Sequence, residues 1–250
     1  DVPREVGFDI NSFASNGTVS LFAGSSPTGV RAVRLNGAGD VIDEIAVSSH
    51  IGYSVGVAAA ADEFLVAWSE GSDFSLFPGA NLRDVLGTRL DANGSPIDVA
   101  PIAIANMQND EADPHVASDG RDFVVLYVDH QGSLVEGTLR ARRVLHEGVA
   151  AELSAIASNV ITSSIGRVDG RYVVAYRAGN SVLAVTLGDQ GSVLDLPIVV
   201  DNAPINFRDP VAASPTSALF GYSRNTDVMR AFVRPLTLAP VPPRGRGVRH

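Results

Sequence analysis

Five short, apolar, β-branched runs recur along the chain, each ending on an aromatic residue: VSLF to Phe22, FLVAW to Trp68, FVVLY to Tyr127, YVVAY to Tyr176 and ALFGY to Tyr222. The aromatic residues stand 46, 59, 49 and 46 positions apart. Runs this short, apolar on both faces and bounded by Gly, Asp, Asn and Pro clusters, read as buried strands. A second echo accompanies them, an apolar residue followed eight positions later by a carboxylate with a glycine between: Leu35 to Asp43, Leu90 to Asp98, Val144 to Glu152 and Leu187 to Asp195. Self-similarity at a period of this size marks a tandem-repeat architecture, in which each unit buries its apolar face on its neighbours.

Each repeat divides into four strands. A short first strand (Asp113 to Ser118 in the third repeat, Asp209 to Ala213 in the fifth) leads through a tight turn into the aromatic strand. Asn16-Gly17, Asp119-Gly120 and Asp169-Gly170 supply that turn, because a two-residue hairpin needs positive φ, which Gly, Asn and Asp adopt at least cost. The third strand keeps a small residue at one register (Ala32, Gly87, Ala141, Ala184 and Ala231), which lets a neighbouring sheet approach closely. A Gly-containing turn then enters the fourth strand. No stretch carries sustained helical periodicity.

Four-stranded antiparallel units repeated four to eight times form a β-propeller. The expectation is an all-β fold, a five-bladed propeller, with a β-sandwich or β-solenoid as the competing arrangement. The blades cover about 6–48, 52–106, 112–159, 161–201 and 208–238. The fifth lacks the Gly-and-carboxylate hairpin, so residues 1–6 are expected to supply its outer strand and remove two exposed edges. Residues 239–250, Pro-rich and then Arg-rich, read as a tail or linker. The segment DPHVASDGRDFVVLYVD from Asp113, with its partial echo DPVAASPTSALFGYS from Asp209, resembles the DPxVAxDGxxFxVxW repeats of secreted β-propeller-like proteins from GC-rich Gram-negative bacteria such as myxobacteria. That resemblance spans Val6 to about Leu238; it implies the fold and an extracytoplasmic, periplasmic or secreted, location, and no chemistry.

Composition excludes several functions. With 28 acidic and 19 basic residues the net charge is −9, so no field recruits nucleic acid or an anionic membrane. All the basic residues are arginine, which removes lysine-dependent chemistry: no Schiff base, no Walker lysine, no Ser-Lys pair. Without cysteine there is neither disulfide nor thiolate metal site, and stability must come from burial. No apolar run approaches the ~18 residues of a spanning helix, so direct membrane insertion is not expected. The start at Asp1, without methionine, reads as a mature or excised fragment.

Function is expected where the repeats fail to match. In a four-stranded meander the loops between second and third strands and those between blades open on one face, and rigid scaffolds carry function on such loops. The between-blade loops from Ser48, Ala105, Ser158 and Asp201 differ from one another, which argues against a lectin of identical pockets. The 59-residue interval reflects an insertion from Ser69 to Asp84 holding Phe74 and Phe77. Aromatic residues enrich interface cores, so this loop either docks a partner or folds back over its own blade. Phe74, Phe77, Arg83, Asp110, Glu111, Phe207 and Arg208 are the expected partner-binding residues, and the leading expectation is a non-catalytic interaction or scaffold subunit that binds protein.

Two alternatives stand beside it. A carbohydrate-binding module that takes glycans would need exposed aromatics, whereas Trp68 sits in an expected core strand. A glycoside hydrolase of the five-bladed type would use carboxylates on the inner strands. Asp9 and Asp113 are the candidates, with Asp110 and Glu111 just before the latter, but the second inner strand, Tyr53 to Ala58, offers none. The shared Asp-Pro of Asp113 and Asp209 reads as turn chemistry. His50, His115, His130, His146 and His250 lack metal-ligand spacing, and the Asp91 hairpin lacks the glutamate of a calcium loop. No metal, cofactor or catalytic motif is expected.

Overall fold

In the FLVAW and FVVLY runs consecutive residues pack into different cores, which is why those runs are apolar on both sides. The computed structural model describes residues 6–71, 82–132, 135–152, 155–202, 205–206, 211–213, 218–224 and 230–236. The first sheet is the meander β1 (Asp9–Ser15), β2 (Val19–Ser26), β3 (Gly29–Asn36) and β4 (Val41–Ser48). The second is β5 (Gly52–Ala59), β6 (Glu63–Glu70), β7 (Asp84–Asp91) and β8 (Ile102–Ala105). Phe64, Val66 and Trp68 of β6 pack with Leu21, Ala23, Val30 and Ala32 of the first sheet, while Leu65 and Ala67 turn the other way.

The third and fourth units follow the same rule. They comprise β9 (Asp110–Ser118), β10 (Phe123–His130), β11 (Gly137–Leu145) and β12 (Gly148–Glu152), then β13 (Ala157–Val168), β14 (Arg171–Ala178), β15 (Ser181–Leu187) and β16 (Ile198–Asp201). Phe123, Val125 and Tyr127 of β10 face the second sheet's Leu65, Ala67, Val85 and Ile104; Val124, Leu126 and Val128 face Val174, Tyr172 and Val185 of the fourth unit. Sheets thus stack face to face in sequence order about their first strands, the arrangement of a β-propeller. At the expected hairpin, Asn16 Oδ1 accepts from the Thr18 and Val19 N–H groups at 3.0 and 2.9 Å. At the small-residue register, a Cβ on Gly87 would lie 2.7 Å from Ile104 Cδ1 of β8, so glycine there makes room within its own sheet and not for a neighbouring one.

The third and fourth units are one eight-stranded sheet, where separate four-stranded units are the sequence expectation. The nine-residue β11 has room on its outer edge for two partners: β12 pairs its end from Arg142 to Leu145, and β13 pairs its start at Gly137 and Leu139. A further sheet holds β17 (Ile205–Asn206), β18 (Val211–Ala213), β19 (Ala218–Arg224) and β20 (Arg230–Leu236). The closing strand expected from residues 1–6 falls almost wholly outside the described residues.

On the face of the tight hairpins, three of the repeated carboxylates, Asp43, Asp98 and Asp195, have a structural task. Arg34 Nε donates to Asp43 Oδ1 at 2.8 Å, and its Nη1 donates to the Ala92 carbonyl of the next sheet's hairpin at 2.6 Å. Arg89 repeats the pattern one unit on, pairing with Asp98 and donating to the His146 carbonyl. Arg143 pairs with Asp122 and reaches Gln190 Oε1. In the fourth unit Thr186 replaces the arginine and donates its hydroxyl to Asp195. Arg34 thus ties its own fourth strand to the following unit, Arg89 the segment before its fourth strand, and Arg143 the turn before its second. The Asp91 hairpin is a turn, with Asp91 Oδ1 accepting from the Asn93 and Ser95 N–H groups at 2.8 Å each.

Candidate functional site

The inner strands β1, β5 and β9 begin on the opposite face, and each begins irregularly. Pairing registers slip at Ile10/Ser12 in β1, between Gly52 and Val55 in β5, and between Leu126 and Val128 of β10, where β9 contributes Asp113 and Pro114. Bulges of this kind re-aim side chains and gather beside active sites. Asp113 has φ of 54° within β9, a left-handed conformation that costs a non-glycine residue energy and so reports a constraint. Turn chemistry does not describe it: it lies inside a strand, opposite Tyr127, and its Oδ1 accepts the Ser54 hydroxyl of β5 at 2.8 Å.

These three strands lock together closely. The Val57 N–H donates to Ser12 Oγ of β1 at 3.2 Å. A Cβ on Gly56 would lie 2.5 Å from the Pro114 carbonyl oxygen, and one on Gly24 would lie 1.8 Å from that of Asp9. Glycine is required at both positions so that β9 and β1 can sit where they do. Asp9, exposed, and Asp113, half-buried, therefore flank β5, which presents Ser54 between them. The second inner strand carries a hydroxyl where a carboxylate is absent.

Behind this rim lies a buried ionic cluster. Arg83 grips Asp110 with Nε at 2.8 Å and Nη2 at 2.6 Å, and its backbone carbonyl accepts the Glu111 N–H at 2.9 Å. Burial pushes the Asp110 carboxyl up, but the Arg83 guanidinium outweighs it and holds the group below the usual carboxylate range. Glu111 is fully buried, and among the described residues its Oε2 accepts the Met107 N–H at 3.2 Å. Burial, joined by the charges of Asp129, Asp84 and Asp110, drives its carboxyl up to about 7. Asp129, also fully buried, takes Arg140 Nε on Oδ2 at 2.8 Å and Gln131 Nε2 at 3.2 Å. Glu70 bridges Trp68 Nε1 at 2.9 Å and His50 Nδ1 at 2.7 Å. Among the described residues no three Asp, Glu or His side chains group to hold a metal ion, and no helix is long and apolar enough to cross a membrane.

Of the residues singled out from sequence, Arg83, Asp110 and Glu111 come together here. Phe74, Phe77, Phe207 and Arg208 lie outside the described residues. Sequence reasoning missed Ser54 and Asp129. The signal for Asp129 was available: Asp129 and His130 end an otherwise apolar eight-residue strand, and a carboxylate continuing a buried strand calls for a partner. Trp68 is fully buried, as its place in a core run implies.

No protein-family model matches the chain, and no curated protein matches it in sequence. Solved structures do match in fold. An exo-β-1,3-galactanase from Phanerochaete chrysosporium superposes with a TM-score of 0.55 at 13% identity, over 90% of this chain and 59% of that one. A GH43 endo-arabinanase from Bacillus licheniformis gives 0.50 at 12% identity, over 94% and 96%. A prolyl oligopeptidase B from Galerina marginata gives 0.52 at 8% identity, over 87% and 30%. The chain thus spans about three fifths of the galactanase's length. At these identities the likeness is one of fold. It nevertheless overturns the expectation of a non-catalytic scaffold subunit: the similar structures are glycoside hydrolases and a peptidase, so an unrepeated loop face on this fold is no sign of a partner-docking surface.

Proposed function

We propose that the chain is a glycoside hydrolase built on a five-bladed propeller, with β17–β20 as the fifth blade, and that it acts on the face where β1, β5 and β9 begin. The observation that carries this reading is Asp113, held left-handed on a bulge of an inner strand and aimed at Ser54, with Asp9 at the start of the inner strand on the other side of β5. Glycosidic bonds are cleaved by two carboxyl groups flanking the scissile bond, one protonating the leaving oxygen and the other activating water or attacking the sugar. Asp113 accepts the Ser54 hydroxyl and so is set as an acceptor, the part of the base or nucleophile. Asp9, at the start of β1, then takes the complementary role at the leaving oxygen. A left-handed residue on a bulged inner strand fits a positioned catalytic group, although Asn159 of β13 is held in the same conformation with φ of 57°.

The test is hydrolysis of aryl and oligomeric furanosides and pyranosides. Wild-type protein should release sugar from at least one class. Asp9→Asn and Asp113→Asn should each lower kcat by at least about a hundredfold, the scale of a lost acid or base, while Ser54→Ala should cost less. A wild type inactive across the panel, or variants as active as wild type, would sink the reading.

A further inference from the structure

Glu111 and Asp129 are direct cross-strand partners on β9 and β10, and both are fully buried. The Glu111 N–H leaves the ladder to reach the Arg83 carbonyl, so this is a non-hydrogen-bonded pair, the kind in which opposed side chains stand closest. Like charges directly opposite destabilise a sheet. Each carboxyl has one oxygen served and one not. Glu111 Oε1 and Asp129 Oδ1 have no hydrogen-bond partner among the described residues. Two buried acceptors left over on adjacent side chains need a donor, and one proton is the smallest that serves both.

We propose that Glu111 and Asp129 share one proton, carried by Glu111 and donated to Asp129 Oδ1, and that its loss loosens the seam between the second and third sheets. Among the described residues the neighbouring arginines are already engaged, and none is seen on Glu111. Arg140 of β11 is engaged with Asp129 Oδ2, and Arg83, just before β7, is engaged with Asp110. Asp84 of β7, Glu70 of β6 and Asp110 of β9 add negative charge, and His130 stands opposite Asp110. The inner strands packed on either side add little: β5 carries no Asp, Glu, Arg or His, and β13 carries only Arg167, which pairs with Asp189 near the hairpin face. The upward displacement of the Glu111 carboxyl agrees with this geometry.

The sign follows from linkage. Glu111 titrates near 4.5 when unfolded and near 7 when folded, so the folded state holds an extra proton between those values. Its contribution is fully present below about pH 4.5, is lost as pH rises through the window, and levels off above about 7. The proposal is independent of any hydrolase activity, and its test needs none. Urea unfolding of wild type and Glu111→Gln between pH 4.5 and 8.5 should diverge, the wild-type folding equilibrium constant falling on the order of a hundredfold relative to the variant's. In wild-type protein carrying carbon-13 at glutamate side-chain carboxyls, one resonance should titrate near neutrality, persist when Glu63, the other buried glutamate among the described residues, is changed (Glu63→Gln), and vanish in Glu111→Gln. Parallel pH curves overturn the proposal, as does the absence of such a resonance in wild type, a readout that stands if Glu111→Gln does not fold. Calcium or sodium ions that restore stability at pH 8 in wild type but not in Glu111→Gln would also overturn it, assigning the two oxygens to a cation.

Discussion

The two faces of the molecule handle buried charge differently, although Glu63, buried at the hairpin face beside His146, also keeps one oxygen unserved among the described residues. On the hairpin face, Arg34 and Arg89 each meet a carboxylate nine positions on and a carbonyl in the next unit, so cation and anion are matched inside a repeated frame. On the loop face the partners come from different elements. Asp110 is matched by Arg83, but Glu111 has no cation on it among the described residues, and Asp113 is held in a conformation its neighbours must impose. Matched, repeated ionic groups are architecture. Unmatched and unrepeated ones mark where stability has been given up, the usual condition of a functional surface.

The strongest way to break this contrast is at the hairpin face. Arg89→Ala strands Asp98, only 11% exposed at its side chain, and cuts the tie to His146, so it should cost about 3–5 kcal/mol in urea unfolding. Arg34→Ala should cost distinctly less, because the Asp43 side chain is 42% exposed and water can take over. On the loop face, Asp110→Asn strands Arg83 instead and should cost about 1.5–3 kcal/mol at neutral pH. Since the folded Asp110 carboxyl is held low, its contribution is present above its ordinary value of 3.8 and is lost as pH falls through the depressed one; wild type and variant should converge in acid.

Smaller changes sharpen the comparison. Gly56→Ala puts a Cβ against the Pro114 carbonyl and should displace β9 beside Asp113, costing ~1–3 kcal/mol and lowering kcat/KM by more than the stability loss accounts for. Thr186→Arg restores the missing member of the staple series opposite Asp195. It should raise stability by no more than about 1 kcal/mol, and a fall in the urea midpoint would show that the fourth unit has no room for the side chain.

Much of the scaffold was legible in the residues. The aromatic runs of β6 and β10 had to be buried on both faces, and Asn16-Gly17 had to turn. The eight-residue carboxylate echo also announced a repeated role, though not its partner, since Arg34 and Arg89 find Asp43 and Asp98 only once a hairpin folds back. The site was legible in part. Arg83, Asp110 and Glu111 stood out by breaking the repeat, whereas Ser54 looks like an ordinary strand serine and Asp113 like an ordinary Asp-Pro turn.

Local pattern determined that this chain would form short, two-sided strands joined by glycine turns, because pleat period and turn stereochemistry act over a few residues. Only the tertiary structure decided that β11 would serve both β12 and β13, that β9 would bulge to aim Asp113 at Ser54, and that Glu111 would stand opposite Asp129 without a counter-ion. Those outcomes depend on register between strands distant in sequence, and register is settled by how whole sheets pack, not by the residues of any one strand.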